Sequence, residues 1–180
     1  AWVPINDVWE YDPAADSWKV LAHMPTKRGS AVAAAVGGKI YVIGGGTTSP
    51  GSKEPSIHPA RPHLAVGTVE EYDPATNSWR ARTPMPTPRN HAGVGVVDGK
   101  IYVIGGRTAA AFISVGTNTD MVEEYDPATD TWGPIKRRMP TARSAVGYAT
   151  YKDRIYIAGW EFQDERLMSA FWVVEAYLPA

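Results

Sequence analysis

The chain reads as an all-β fold built from repeated four-stranded sheets, and three observations carry that reading. Tyr-Asp-Pro recurs at Tyr11, Tyr72 and Tyr125, with a weakened copy at Tyr177-Leu178-Pro179. A Trp follows each full copy by seven residues (Trp18, Trp79, Trp132), and Met-Pro-Thr returns at Met24, Met85 and Met139 with Arg28, Arg89 and Arg143 soon after. Gly-Lys-Ile-Tyr-Val-Ile-Gly-Gly stands at 38–45 and 99–106, echoed by Asp153-Arg154-Ile155-Tyr156-Ile157-Ala158-Gly159. A period of this length marks one supersecondary unit that needs its neighbours to bury its faces. No window carries the 3.6-residue periodicity of a long amphipathic helix, and residues 161–172 hold one helical turn at most.

Each unit divides into strands a to d. Strand a (31–36, 92–97, 145–150) mixes Ala, Gly and Val, which suits a position where backbones approach closely. Strand b (40–43, 101–104) is β-branched and aromatic on both alternating faces, the pattern of a strand covered on both sides. Between them Gly37-Gly38 and Asp98-Gly99 suit two-residue hairpin turns. Strand c (69–72, 122–125, 173–177) ends at Asp-Pro in its two full copies, where Pro removes a ladder donor and a turn begins. Strand d carries the Trp. Successive Tyr-Asp-Pro copies are 61, 53 and 52 residues apart, and the excess falls entirely in the b–c connection. A fixed unit with one free loop behaves this way.

These residues resemble the kelch repeat: Gly-Gly closing an Ile-Tyr-Val-Ile strand, then Glu-x-Tyr-Asp-Pro, then Trp, then Met-Pro. The likeness runs through nearly the whole chain in register. It implies a β-propeller, each repeat a four-stranded blade around a central channel. The expected division is a partial blade at 1–22, blades at 27–82 and 89–135, and a partial blade at 143–180. That gives thirteen strands, about three blades, whereas propellers close with about four to eight. An open arc would bare apolar faces and strand edges. Either two copies close a six-bladed ring as a homodimer, with one strand c per chain left over, or the chain is part of a longer propeller.

Function is less plainly written. The 180 residues carry 18 Lys+Arg against 19 Asp+Glu, so no one-sided field recruits nucleic acid or an anionic membrane. Apolar runs fall far short of the roughly 20 residues of a membrane helix. Cysteine is absent, which excludes thiolate metal sites and a cysteine nucleophile. No cofactor is called for. The Gly-rich stretch 93–99 has no following helix, so its likeness to a dinucleotide loop fails on context.

By period two, Glu70 with Tyr72, Glu123 with Tyr125, and Glu175 with Tyr177 share strand faces. A carboxylate on an inward face needs a partner, and Arg28, Arg89 and Arg143 fit that role. The rival reading places the three Arg at the channel mouth for an acidic ligand. The d–a turns and b–c loops share one end of the blades, so Ser30, His91 and Ala145, at one register before strand a, face the same opening. In kelch-like ubiquitin-ligase adaptors this face contacts peptides, and the resemblance passes that expectation to Ser30 and His91. Arg107, directly after the second Gly-Gly, points the same way.

The expected recognition set is therefore Arg28, Ser30, Arg89, His91, Arg107 and Arg143, taking a protein or peptide ligand. The alternatives are a sugar-acting kelch enzyme resembling sialic acid epimerases, or an excised or designed propeller piece that self-assembles. The copper radical oxidases that share the fold need a cysteine this chain lacks. The insertion 46–67, with Pro50, Pro55, Pro59 and Pro62, reads as irregular surface loop. Its His58 and His63 lack a third metal ligand. Lys136-Arg137-Arg138 reads as a solvated basic run.

Overall fold

A computed structural model describes residues 2–58, 60, 63–111, 117–159 and 174–177. The stretch 161–172 and the side chains of Glu175 and Tyr177 lie outside them. The chain is all-β and forms a partial propeller. β1 (Trp9–Asp12) and β2 (Ser17–Val20) make a two-stranded sheet. β3 (Val32–Val36) and β4 (Lys39–Ile43) lead through a small hairpin, β5 (Gly46–Thr48) and β6 (His63–Ala65), to β7 (Val69–Asp73) and β8 (Ser78–Arg82). β9 (Gly93–Val97), β10 (Lys100–Ile104), β11 (Val122–Asp126) and β12 (Thr131–Trp132) form the next blade. β13 (Gly147–Tyr151), β14 (Arg154–Ala158) and β15 (Val174–Tyr177) form a three-stranded sheet. Both complete blades run a-b-c-d as antiparallel meanders, β3-β4-β7-β8 and β9-β10-β11-β12.

The a strands lie innermost: β3 approaches β9, and β9 approaches β13. Small residues make that approach feasible. A Cβ on Gly93 would stand 2.6 Å from Cδ1 of Ile157, and one on Gly95 would stand 2.5 Å from Cγ1 of Ile155. The two glycines thus leave the space that the next blade's isoleucines fill. Between the first two full blades, Tyr41, Ile43, Val69, Val94, Ile101 and Val103 pack into one core. Strand β10, between two blades, is buried on both faces. Strand β4 is not: Ile40 is 37% exposed, and among the described residues the sheet on that side has two strands, β1 and β2.

The insertion differs from its sequence reading. Residues 46–48 and 63–65 form a regular hairpin, with Gly46 opposite Ala65 and Thr48 opposite His63. Its longer excursion is held by Ile57, which exchanges backbone hydrogen bonds with Trp2 at 3.3 and 2.8 Å. Ile57, Ala110 and Ala111 bury together with Trp2 against them. The hairpin is therefore anchored both to the N-terminal segment and to the b–c loop of the following blade. Of its two histidines, His58 Nδ1 accepts from the Ala60 amide at 3.1 Å, and the His63 backbone pairs with Thr48.

Candidate functional site

The frame of the site is backbone. Ser30, His91 and Ala145 all take left-handed φ values, 56°, 53° and 54°. The His91 amide donates to the Ser30 carbonyl at 3.0 Å, and the Ala145 amide donates to the His91 carbonyl at 2.8 Å. A chain of peptide hydrogen bonds thus crosses from blade to blade at the start of each strand a. A second set lies just behind it. The Gly45 amide donates to the Arg89 carbonyl at 3.0 Å and the Gly106 amide to the Arg143 carbonyl at 2.7 Å. The Gly-Gly pairs make room for it: at Gly44, φ is +68° and a Cβ would stand 2.4 Å from the Arg89 carbonyl oxygen.

The three repeated arginines lie inside the blades. Arg28 Nη2 donates to Glu70 Oε2 at 2.9 Å and to the Val42 carbonyl at 3.1 Å, and Nη1 donates to the Thr68 carbonyl at 2.7 Å. Arg89 pairs with Glu123 and donates to the Val103 carbonyl at 2.8 Å. Thr26 and Thr87 hydroxyls donate to the other oxygens of those carboxylates at 2.7 and 2.9 Å, which explains the Thr of Met-Pro-Thr. Both guanidinium groups are fully buried on their side chains. Burial pulls their pKa values down while the facing glutamate opposes the shift. Arg143, 2% exposed, donates to Thr141 Oγ1 at 2.6 Å and to the Gly159 carbonyl at 3.0 Å. These side chains tie b–c loops to d–a turns, so the charge expected at the channel mouth is held within the scaffold.

Arg107, His91 and Asn90 form a different group. Arg107 occupies the register of Gly46: each exchanges two backbone hydrogen bonds with the preceding d–a turn, Arg107 with Asn90 at 3.0 and 2.9 Å, Gly46 with Gly29 at 3.0 and 2.8 Å. Arg107 Nε donates to Asn90 Oδ1 at 3.3 Å, and its Nη2 approaches His91 Nε2 at 3.4 Å. His91 Nδ1 meets the same Asn90 oxygen. That geometry suits a neutral ring, Nδ1–H donating to Asn90 and Nε2 accepting from Arg107. Burial, with the Arg107 charge adding to it, pushes the His91 pKa down to about 4. Ser30 and His91 are half-buried, whereas Arg107 is 6% exposed. The structure thus brings His91 and Arg107 together and sets Ser30 one blade away on the same hydrogen-bonded row.

Asn90 was not singled out by the sequence, although it shares the register of Gly29 and Ser144. A polar residue at that buried position, next to an imidazole, is the signal that could have found it. Among the described residues no group of three or more His, Asp or Glu is placed to hold a metal. No helix among them is long and apolar enough to cross a membrane.

A second polar system lies in the seam between blades. Glu71 accepts from Arg80 Nε at 2.7 Å and Arg82 Nε at 2.6 Å. Burial raises its carboxyl pKa, yet the two arginines outweigh that and hold it below the usual range. Glu124 is likewise raised by burial and brought lower overall by Lys136 and Lys100.

Innermost small-residue strands, four-stranded meanders and blade-to-blade hydrogen bonds define a repeat protein of the β-propeller class. Residues 27–86 and 88–135 match the family described as Kelch motif, and the chain belongs to the kelch-repeat family. It is 32% identical over 172 residues to the Kelch-like protein terF of Aspergillus terreus, covering 93% of this chain and 34% of that protein. It is 29% identical over 154 residues to Kelch-like protein 35 of Mus musculus, covering 86% of this chain and 23% of that one. The Kelch-like ECH-associated protein 1B of Danio rerio matches at 33% over 96 residues, 53% of this chain and 15% of that one. The chain thus spans about a third or less of these relatives. The solved structure of YjhT superposes with a TM-score of 0.67 at 19% identity, over 86% of this chain and 58% of that one. That likeness bears on the fold alone.

Proposed function

We propose that this chain is a protein-interaction module that holds a protein or peptide ligand on the face carrying Ser30, His91 and Arg107, with a second copy as the partner that completes the circle of blades. One observation carries the first half. A single backbone register, fixed by hydrogen bonds between blades, presents Ser30, His91 and Ala145 in turn. A frame made of peptide groups can vary its side chains without loosening the blades. The backbones of Arg28, Arg89 and Arg143 belong to that frame, while their guanidinium groups stabilise it from inside. The names of the relatives support the reading, one being an ECH-associated protein. A sugar-acting enzyme would need an acid/base pair here. His91 faces Arg107 and Asn90, and no carboxylate contacts it among the described residues.

Panning a displayed peptide library against the chain and titrating the selected peptide by calorimetry tests this reading. Joint His91→Ala and Arg107→Ala replacement is expected to weaken binding on the order of tenfold or more, as at interface hot spots. Lys53→Ala, at the insertion tip, is expected to leave it unchanged. Undiminished affinity in the first variant overturns the assignment.

A further inference from the structure

The strongest unassigned feature is the outer face of the β1–β2 sheet. Trp9, Tyr11, Trp18 and Val20 line it by strand register, at 57%, 44%, 65% and 55% exposure. The same face of the next two blades shows what covers it. Trp79 Nε1 donates to the Ala22 carbonyl at 2.8 Å, and the Ala22 amide donates to Asn77 Oδ1 at 2.8 Å. One blade on, Trp132 Nε1 donates to the Thr83 carbonyl at 3.0 Å, and the Thr83 amide donates to Asp130 Oδ1 at 2.9 Å. Each clamp therefore grips both polar groups of one residue just past strand d of the preceding blade.

The first clamp is already assembled. Tyr11 donates to Asp16 Oδ1 at 2.7 Å, as Tyr72 does to Asn77 at 2.9 Å and Tyr125 to Asp130 at 2.6 Å. The Tyr11–Trp18 rings stand 4.9 Å apart, against 5.0 and 5.1 Å in the other two. Asp16 has the left-handed φ of its counterparts.

The chain also carries a segment that fits this clamp. The Lys136 amide donates to the Val122 carbonyl at 3.0 Å, as the Leu21 amide does to Val8. Arg137 therefore stands where Ala22 stands, one residue past the amide that bonds to the start of strand c. It is exposed, and it lies in the run Lys136-Arg137-Arg138. The seam with an acidic clamp already shows the matching charge, Arg82 lying 3.8 Å from Asp130.

We infer that the Trp18–Asp16 clamp seats on the backbone of Arg137 in a second copy of this chain, with Asp16 facing the basic run. Placed so, β1 comes to the edge of the second copy's β14, where β15 pairs within one chain, and the two strands compete for it. This rests on the assembly half of the proposed function and not on the ligand half, so the two experiments fail separately.

Light scattering behind gel filtration tests it. The expected mass is twice the chain's 19.5 kDa. Trp18→Ala, Asp16→Lys and Arg137→Glu, each folded by circular dichroism, are each expected to weaken association on the order of tenfold or more through lost burial or like charges at the seam. Mixing the Asp16→Lys and Arg137→Glu chains is expected to recover part of the association lost by either alone, since both seams of the mixed pair then join opposite charges while the Asp16→Lys seam still lacks the acceptor for the gripped amide. A parent chain that stays at single mass across micromolar concentrations overturns the inference. So does a dimer that neither charge reversal weakens, or a mixture that regains nothing.

Discussion

Trp132 reaches out of its own blade to donate its indole N–H to the Thr83 carbonyl, 3.0 Å away in the blade before. Trp79 does the same to Ala22 at 2.8 Å. The spacing of Trp seven residues after Tyr follows from this contact. Asn77 and Asp130, in left-handed turns between the two aromatics, complete the grip. Replacing Trp132 by Phe keeps a ring against Tyr125, removes the donor and trims the bicyclic ring that packs on the core. The expected loss is about 1 kcal/mol, read as a lower urea midpoint at unchanged slope.

Gly44 allows a second close approach. Its φ of +68° and the 2.4 Å that would separate a Cβ from the Arg89 carbonyl oxygen act together. Gly51, at φ +78° with open space around it, has the strain without the clash. Gly51→Ala should cost about 1 kcal/mol. Gly44→Ala should cost clearly more, about 3 kcal/mol, in the same denaturation experiment. Equal losses would mean that the blade-to-blade contact is soft.

Arg89 and Glu123 bury their charges together. Arg89→Met leaves an uncompensated carboxylate and is expected to destabilise by about 3–5 kcal/mol. Adding Glu123→Leu should recover part of that loss, because no charge then stays buried alone. A double-mutant cycle checks the sign: additive losses would show that the pair is not coupled.

His91 gives a pH signature. Its folded pKa of about 4 lies below the ordinary 6.5, so the unfolded chain binds the proton first. Stability from this group is complete above pH 6.5 and declines as pH falls toward 4. The decline should reach about 2 kcal/mol near pH 4, allowing for partial exposure. His91→Gln should remove it, so the parent and variant stability curves should draw together between pH 6.5 and 4. Parallel curves would contradict the neutral ring drawn from its contacts.

Much of this was legible in the residues. The a-to-d order, the tight a–b turns and the Arg28–Glu70 and Arg89–Glu123 pairs follow from period two and from the need to neutralise inward carboxylates. The hairpin of Gly46–Thr48 with His63–Ala65 was not legible. Its register is set by distant contacts, Gly46 against Gly29 and Ile57 against Trp2, and its prolines obscure any alternation. Glu71 and Glu124 were hidden for a related reason. Arg80, Arg82 and Lys136 sit on the neighbouring strand d and its following connection, outside the motif that repeats, and only Lys100 lies inside it. The arginines were legible as scaffold or as ligand contacts, and the burial of Arg28 and Arg89 speaks for the scaffold.

The hydrogen bonds joining Ser30, His91 and Ala145 involve main-chain atoms only. Selection can therefore rewrite the side chains there one blade at a time, subject to a steric tax on β-branched choices at positive φ. The rim behaves as a set of sockets on a fixed chassis. Grafting new residues at 30, 91 and 145 is expected to change what the rim presents while the main-chain hydrogen bonds between blades stay in place.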